Sequence, residues 1–151
     1  MNATYKSLLD MPKLYQASLT LNYWLDGAGV EMSITQSGGL PEPAISLFRE
    51  AIDEIAKVRI GLIPMHIMVN RLPPNTSVPI HIDPVIPRDV HLERWHLPIK
   101  TNDRAFWWGQ NTGKFHMALG CWYGPMPYWE LHNVDNTHPI DDRVHLIVDL
   151  K

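Results

Sequence analysis

Thirteen prolines, spread along 151 residues, limit what this chain can fold into. An interior proline lacks a backbone donor and breaks a helix or a central strand, so short elements with frequent turns are expected. One stretch escapes this restriction. Ala44 to Val58 holds no proline, and Ile45, Phe48, Ile52 and Ile55 recur at three- and four-residue steps, which makes one apolar stripe of a helix. Arg49, Glu50, Asp53, Glu54 and Lys57 fill the remaining surface. Pro41 and Pro43 mark its start, after a loop at Ser37-Gly38-Gly39.

From Ile60 onward the pattern is that of strands. They are expected at Met65 to Leu72, Val78 to Asp83, Leu92 to Ile99, Ala105 to Trp108, Phe115 to Tyr123, Tyr128 to His132 and Arg143 to Leu150. Before the helix the signal is weak, with a loose alternation from Ser18 to Trp24 read as one more strand. Strands of this length and spacing give a mostly β fold: a double-stranded β-helix, or jelly-roll barrel of the cupin kind, with a packed α-helix. The expected layout is one domain over 1–151, with 1–60 as helix-bearing support and 61–151 as the jelly-roll core.

Composition narrows the partners. The net charge is −3, from 13 basic and 16 acidic residues, and no basic run occurs. Phosphate binding leans on clustered Lys and Arg, so nucleic acid is not expected. No apolar run reaches the roughly 18 residues of a membrane span. Cys121 is the only cysteine and the first residues lack a signal-peptide core, so a reducing, cytoplasmic setting is expected. Cys121 itself reads as a small buried hydrophobe.

Chemistry concentrates in the second half, which carries most of the eight histidines and six tryptophans. His81-Ile-Asp83 places an imidazole and a carboxylate at i and i+2, hence on one face of a strand. Two histidines and one carboxylate on one face of a metal form the facial triad of non-haem Fe(II) oxygenases, which leaves positions open for substrate and O2. His132, at the end of the sixth expected strand, is the candidate third ligand. Arg143 opens the last strand, where a hairpin from His132 could bring it across from the metal. Its planar fork matches a carboxylate in bidentate fashion, so a dicarboxylate could reach from metal to Arg143. Arg143, His145, Ile147 and Asp149 share one face of that strand, and Val144, Leu146, Val148 and Leu150 share a wholly apolar one. Arg94 and His96 repeat the i, i+2 relation on the third strand.

Four segments together resemble the aspartyl/asparaginyl β-hydroxylase family of Fe(II)/2-oxoglutarate oxygenases. They are Arg71-Leu-Pro-Pro-Asn-Thr running into His81-Ile-Asp83, then Arg94-Trp-His96-Leu-Pro, then Trp129-Glu-Leu-His132-Asn-Val-Asp-Asn, and Arg143-Val-His-Leu-Ile-Val-Asp149. The likeness runs over about 65–150. It implies iron held by His81, Asp83 and His132, and 2-oxoglutarate and O2 as cosubstrates. It implies Arg143 on the distal carboxylate of 2-oxoglutarate, with Asn70 near it. Arg94, assisted by His96, would meet the cosubstrate carboxylate near iron. The substrate it implies is an amino acid or a peptidyl residue such as Asp, Asn or Pro. Thr101 to Pro127, with Trp107, Trp108 and Trp122, departs most from the family and leaves the substrate open.

Plainer readings stand beside these. His91-Leu-Glu93 is a rival His-x-acid pair, and His138 a rival third ligand placed in a turn. His145 reads as a hydrogen-bonded core histidine, and His66 and His116 carry no partner pattern. Trp107 and Trp108 must point to opposite faces. Two other functions remain open: a cupin-type metal enzyme that uses no 2-oxoglutarate and so needs neither Arg143 nor Arg94, and a metal-free jelly-roll module that binds sugar or peptide.

Overall fold

A computed structural model describes residues 3–21, 30–33, 44–83 and 92–151. In chain order the elements are β1 (Ala3–Lys6), α1 (Met11–Ser18), β2 (Val30–Ser33), α2 (Ala44–Val58), β3 (Pro64–Leu72), β4 (Thr76–His81), β5 (Glu93–Lys100), β6 (Ala105–Gly109), β7 (Gly113–Phe115), β8 (Cys121–Gly124), β9 (His132–Asn136) and β10 (Arg143–Leu150). All described strand pairs are antiparallel. They form a six-stranded sheet in the order β1-β8-β5-β10-β3-β2 and a four-stranded sheet in the order β4-β9-β6-β7.

Side-chain alternation explains how the layers stack. Val144, Leu146, Val148 and Leu150 of β10, with Trp95, Leu97 and Ile99 of β5 and Ile67 and Val69 of β3, meet Phe48, Ala51, Ile52 and Ile55 of α2. Met11, Leu14 and Ala17 of α1 join the same core. The opposite faces of those strands turn toward the small sheet, where Leu72, Trp107, Met117, Met126 and Val134 make a second, smaller cluster. The fold is thus the expected jelly roll, with helices covering the outer face of the large sheet.

Several local expectations are corrected. Ser18 to Leu21 ends a helix instead of starting a strand. The Ser18 and Thr20 hydroxyls donate to the Tyr15 and Ala17 carbonyls, and the Leu19 N–H donates back to Tyr15. The remainder of that stretch, and the loop at 37–39, lie outside the described residues. Helix α1 itself carried a readable signal: Asp10 caps it by accepting from the Lys13 N–H at 3.1 Å, and Pro12 sits in the first turn. The single strand expected from Phe115 to Tyr123 is two, β7 in the small sheet and β8 in the large one. The chain crosses between them and turns at Gly120, whose φ is +74°. The strand expected at Tyr128 to His132 begins where it was expected to end. The stretch before it turns, with Tyr128 N–H donating to Met126 and Glu130 N–H to Pro127. Arg143 does not reach the site by a hairpin from His132, because β9 and β10 belong to different sheets. Cys121 is half-buried, not buried. No described helix is long and apolar enough to cross a membrane.

A candidate metal and anion site between the sheets

The two sheets enclose a cavity of about 130 Å³. From the large sheet, β3 contributes Met68 and Asn70, β5 contributes Arg94 and His96, and β10 contributes Arg143 and Ile147. From the small sheet come Val78, His81, Trp107, His132 and Val134, with Asp83, Met126 and Tyr128 from the connecting segments. His81, Asp83, His132, Arg143, Arg94, His96 and Asn70 therefore line one cavity. The strand pairings bring them there: His81 lies opposite His132, and His145 opposite Asn70.

His81, Asp83 and His132 offer one ligand atom each, and these lie within 4.8 Å of one another. Asp83 Oδ1 stands 3.0 Å from His81 Nε2 and 3.2 Å from His132 Nε2. The Nδ1 atoms face backbone carbonyls, at 2.6 Å from Pro79 O for His81 and 2.8 Å from Glu130 O for His132. A carbonyl only accepts, so each Nδ1 carries the proton and donates it. In the neutral rings both Nε2 lone pairs then point at the same carboxylate oxygen. Three electron-rich atoms converging in this way repel unless a cation or a proton sits among them. The donor set, two imidazoles and a carboxylate with orienting bonds behind the rings, fits a divalent transition metal.

The carboxylate is ionised. Burial alone would raise the Asp83 pKa, but the His132 hydrogen bond and the Arg94 charge outweigh it and lower it to about 2. Burial also disfavours charge on His132, yet its bond to Asp83 raises its pKa above the ordinary value. Without metal, this bond favours a proton on His132 Nε2, between the ring and the carboxylate. The signs follow. The Asp83 contribution, about 2 kcal/mol, is present above about pH 4 and is lost as pH falls toward 2. The His132 contribution is present below its unfolded pKa and is lost as pH rises through the higher folded one. Metal-free protein is therefore expected to lose stability on both sides, and His132→Gln to flatten the alkaline arm and to shrink the acid arm as well, because the His132 hydrogen bond also lowers the Asp83 pKa. Urea titrations across pH check this.

Trp107 stacks on His132, with ring centroids 5.7 Å apart and planes 16° apart. It is the tryptophan that faces inward, while Trp108 is half-buried on the other side of the strand. Gly109, opposite His132, leaves room for this stack. A Cβ there would collide with the Trp107 ring and the Glu130 carboxylate. Gly109→Ala is expected to cost about 1–3 kcal/mol and to weaken metal binding by displacing the ring behind His132. Thermal unfolding and a Mn(II) titration read the two effects.

Arg143 faces the triad from the large sheet and is 2% exposed. Its Nη1 donates to Asn70 Oδ1 at 2.6 Å and its Nη2 to His145 Nδ1 at 2.8 Å, both neutral acceptors. It has no carboxylate partner among the described residues, and burial lowers its pKa to about 9. His145 Nδ1 lies 3.3 Å from His96 Nδ1, and burial, with the Arg143 charge, holds both rings neutral. A buried guanidinium without a counter-ion, open to a cavity, is a seat for an anion.

Arg94 lines the same cavity, but in different company. Each of its nitrogens already donates to a protein carboxylate: Nε and Nη2 to Asp149 at 2.8 and 2.7 Å, and Nη1 to Asp83 Oδ2 at 2.5 Å. The rival residues do not join the site. Glu93 turns to the helix side, where it accepts from Arg59 and from Trp95 Nε1, and His91 lies outside the described residues. His138 Nδ1 accepts from the Ile140 and Asp141 N–H groups and holds a turn. His116 Nδ1 donates to the Ala105 carbonyl. What sequence reasoning missed is the part played by Asp149 and by the Glu130 carbonyl. Asp149 acts on Arg94 across the β5–β10 pair and leaves no local signal, whereas the Glu130 carbonyl meets His132 only two residues on.

No family model matches the sequence, and no curated protein matches it. Solved structures do match in fold. The collagen prolyl hydroxylase of Paramecium bursaria Chlorella virus-1, in its 2OG complex, aligns at a TM-score of 0.64 with 10% identity, over 98% of this chain and 94% of its own. An oxidoreductase of the 2OG-Fe(II) oxygenase family from Burkholderia pseudomallei aligns at 0.62 with 13% identity, over 93% and 77%. A Pseudomonas putida prolyl-4-hydroxylase aligns at 0.60 with 14% identity, over 99% and 91%. The chain has the jelly-roll fold of 2OG-Fe(II) oxygenases and carries a His-Asp-His cluster inside it.

Proposed function

We propose that the chain is an Fe(II)/2-oxoglutarate-dependent dioxygenase that hydroxylates an unactivated C–H bond of an amino acid or a peptidyl residue. The observation that carries this reading is the pairing, in one cavity, of three converging candidate ligand atoms with a buried guanidinium that has no carboxylate partner among the described residues. A metal alone would explain the first and not the second. When bound, Fe(II) and 2-oxoglutarate supply oxidative decarboxylation to succinate and CO2, coupled to hydroxylation by O2.

The protein's share is placement. His81, Asp83 and His132 would hold iron on one face and leave the opposite face toward the cavity. Arg143 and Asn70 would receive the far carboxylate of the cosubstrate, with His145 and His96 neutral around it. Trp107, Met126, Ile147 and Met68 line the cavity with apolar surface that excludes water. Resemblance of the four sequence segments to the aspartyl/asparaginyl β-hydroxylases favours an Asp or Asn substrate, and the prolyl hydroxylases of the same fold favour Pro. A cytoplasmic location belongs to the same proposal.

Succinate formation measured with Fe(II), 2-oxoglutarate, ascorbate and a peptide library tests the reading. Turnover that needs both iron and 2-oxoglutarate supports it. Metal binding with no effect of 2-oxoglutarate on succinate, or on the bound metal's spectrum, would instead favour a cupin enzyme of another kind. Absence of metal binding would leave a binding module.

A further inference from the structure

Two arginines line one cavity, yet their surroundings are opposite. Among the described residues Arg143 donates to neutral acceptors, whereas Arg94 is held between two acids. Asp149, 1% exposed, lies directly across the β5–β10 pair from Arg94 and grips it with both oxygens. Arg94 then reaches to Asp83 with its remaining nitrogen, and the Tyr128 ring flanks the guanidinium at 6.0 Å. The contact falls on Asp83 Oδ2, leaving Oδ1 alone to face the two histidines.

We propose that Asp149 is a positioning residue for the metal centre: through the Arg94 fork it fixes Asp83 as a ligand that presents one oxygen. The inference rests on the metal-site reading given above. The physical reason lies in where Asp83 sits. It follows the end of β4, outside the ladder, with its backbone tied by one N–H bond to Tyr128 O at 3.2 Å. A carboxylate on such a segment is free to rotate and offer both oxygens, or to swing away. A planar fork anchored at one end by two bonds has one direction left for its third nitrogen, and that direction sets the carboxylate's torsion. Groups that orient a metal ligand in this way typically matter by about tenfold to a hundredfold in affinity. The two arginines then divide the work, Arg94 serving the metal side and Arg143 the anion side.

The test is titration of the metal-free protein with Mn(II), without 2-oxoglutarate, together with the visible spectrum of the Co(II) form. Asp149→Asn is expected to weaken Mn(II) binding about tenfold to a hundredfold and to change the Co(II) bands. Arg94→Lys, which keeps the charge and loses the fork, is expected to do the same. Glu93→Gln is the control. It breaks an equally close bidentate pair with Arg59 on the same strand, facing the other way. It should lower the melting temperature and leave Mn(II) affinity unchanged. If Asp149→Asn does not fold, Arg94→Lys decides alone. Native-like Mn(II) affinity and Co(II) bands in the folded variants overturn the inference, as does an equal loss of affinity in Glu93→Gln. Native protein that binds no Mn(II) overturns the metal-site reading itself, a different result.

Discussion

Replacing Arg143 with methionine is expected to raise the 2-oxoglutarate concentration needed for half-maximal turnover by about a hundredfold or more, without destabilising the metal-free fold. The first effect follows from losing a charge-assisted contact inside a low-dielectric cavity, where truncating one partner costs about 2–5 kcal/mol. The second is the unusual part. Most buried residues stabilise the fold, but a guanidinium whose partners among the described residues are Asn70 and His145 carries a desolvation cost that those bonds offset in part. Its folded pKa, about 9, lies below its unfolded value, so this cost is fully present at neutral pH and shrinks only as pH rises through 9. Methionine fills similar volume without charge. The melting temperature of the metal-free variant should equal or exceed that of the parent, while 2-oxoglutarate with Mn(II) should raise only the parent's. A variant that loses several degrees and keeps its response to 2-oxoglutarate would show that Arg143 serves the fold.

His132→Ala carries the other large effect. It removes one of three ligand atoms, and with it the ring on which Trp107 stacks. Mn(II) affinity should fall by more than the roughly hundredfold limit of orienting groups, and succinate formation should drop to background. His138→Ala makes the comparison sharp. That ring accepts two backbone N–H bonds in the turn before β10 and takes no part in the cavity. It should cost about 1–3 kcal/mol of stability and leave metal affinity alone. Calorimetric Mn(II) titration of both variants beside the parent separates a ligand from a structural histidine.

Local patterns were legible from the sequence wherever period and residue type agreed. Helix α2 keeps the expected bounds because its apolar stripe is unbroken. Strand β10 does so because its alternation is complete: Val144, Leu146, Val148 and Leu150 meet the helices while Arg143, His145, Ile147 and Asp149 turn inward. His81 and Asp83 were readable as a pair from their spacing. Short elements were not. The α1 helix shows its cap and proline only once a helix is suspected, and β7 and β8 share an apolar run that a sheet change divides. Partnerships across strands were the least visible. The resemblance gives Arg94 a cosubstrate role, while its own strand says nothing of Asp149, which pairs with it through the register of β5 on β10. Asp149 was readable as inward-facing, but its task becomes clear only when Arg94 and Asp83 stand beside it.

The most direct measurement is an anaerobic crystal structure with Mn(II) and 2-oxoglutarate, with the anomalous signal locating the metal. The expected map has one strong peak about 2.2 Å from His81 Nε2, Asp83 Oδ1 and His132 Nε2, with diacid density running from it to the Arg143 guanidinium. A peak elsewhere, or a diacid whose far carboxylate lies away from Arg143, would contradict the shared metal and anion site.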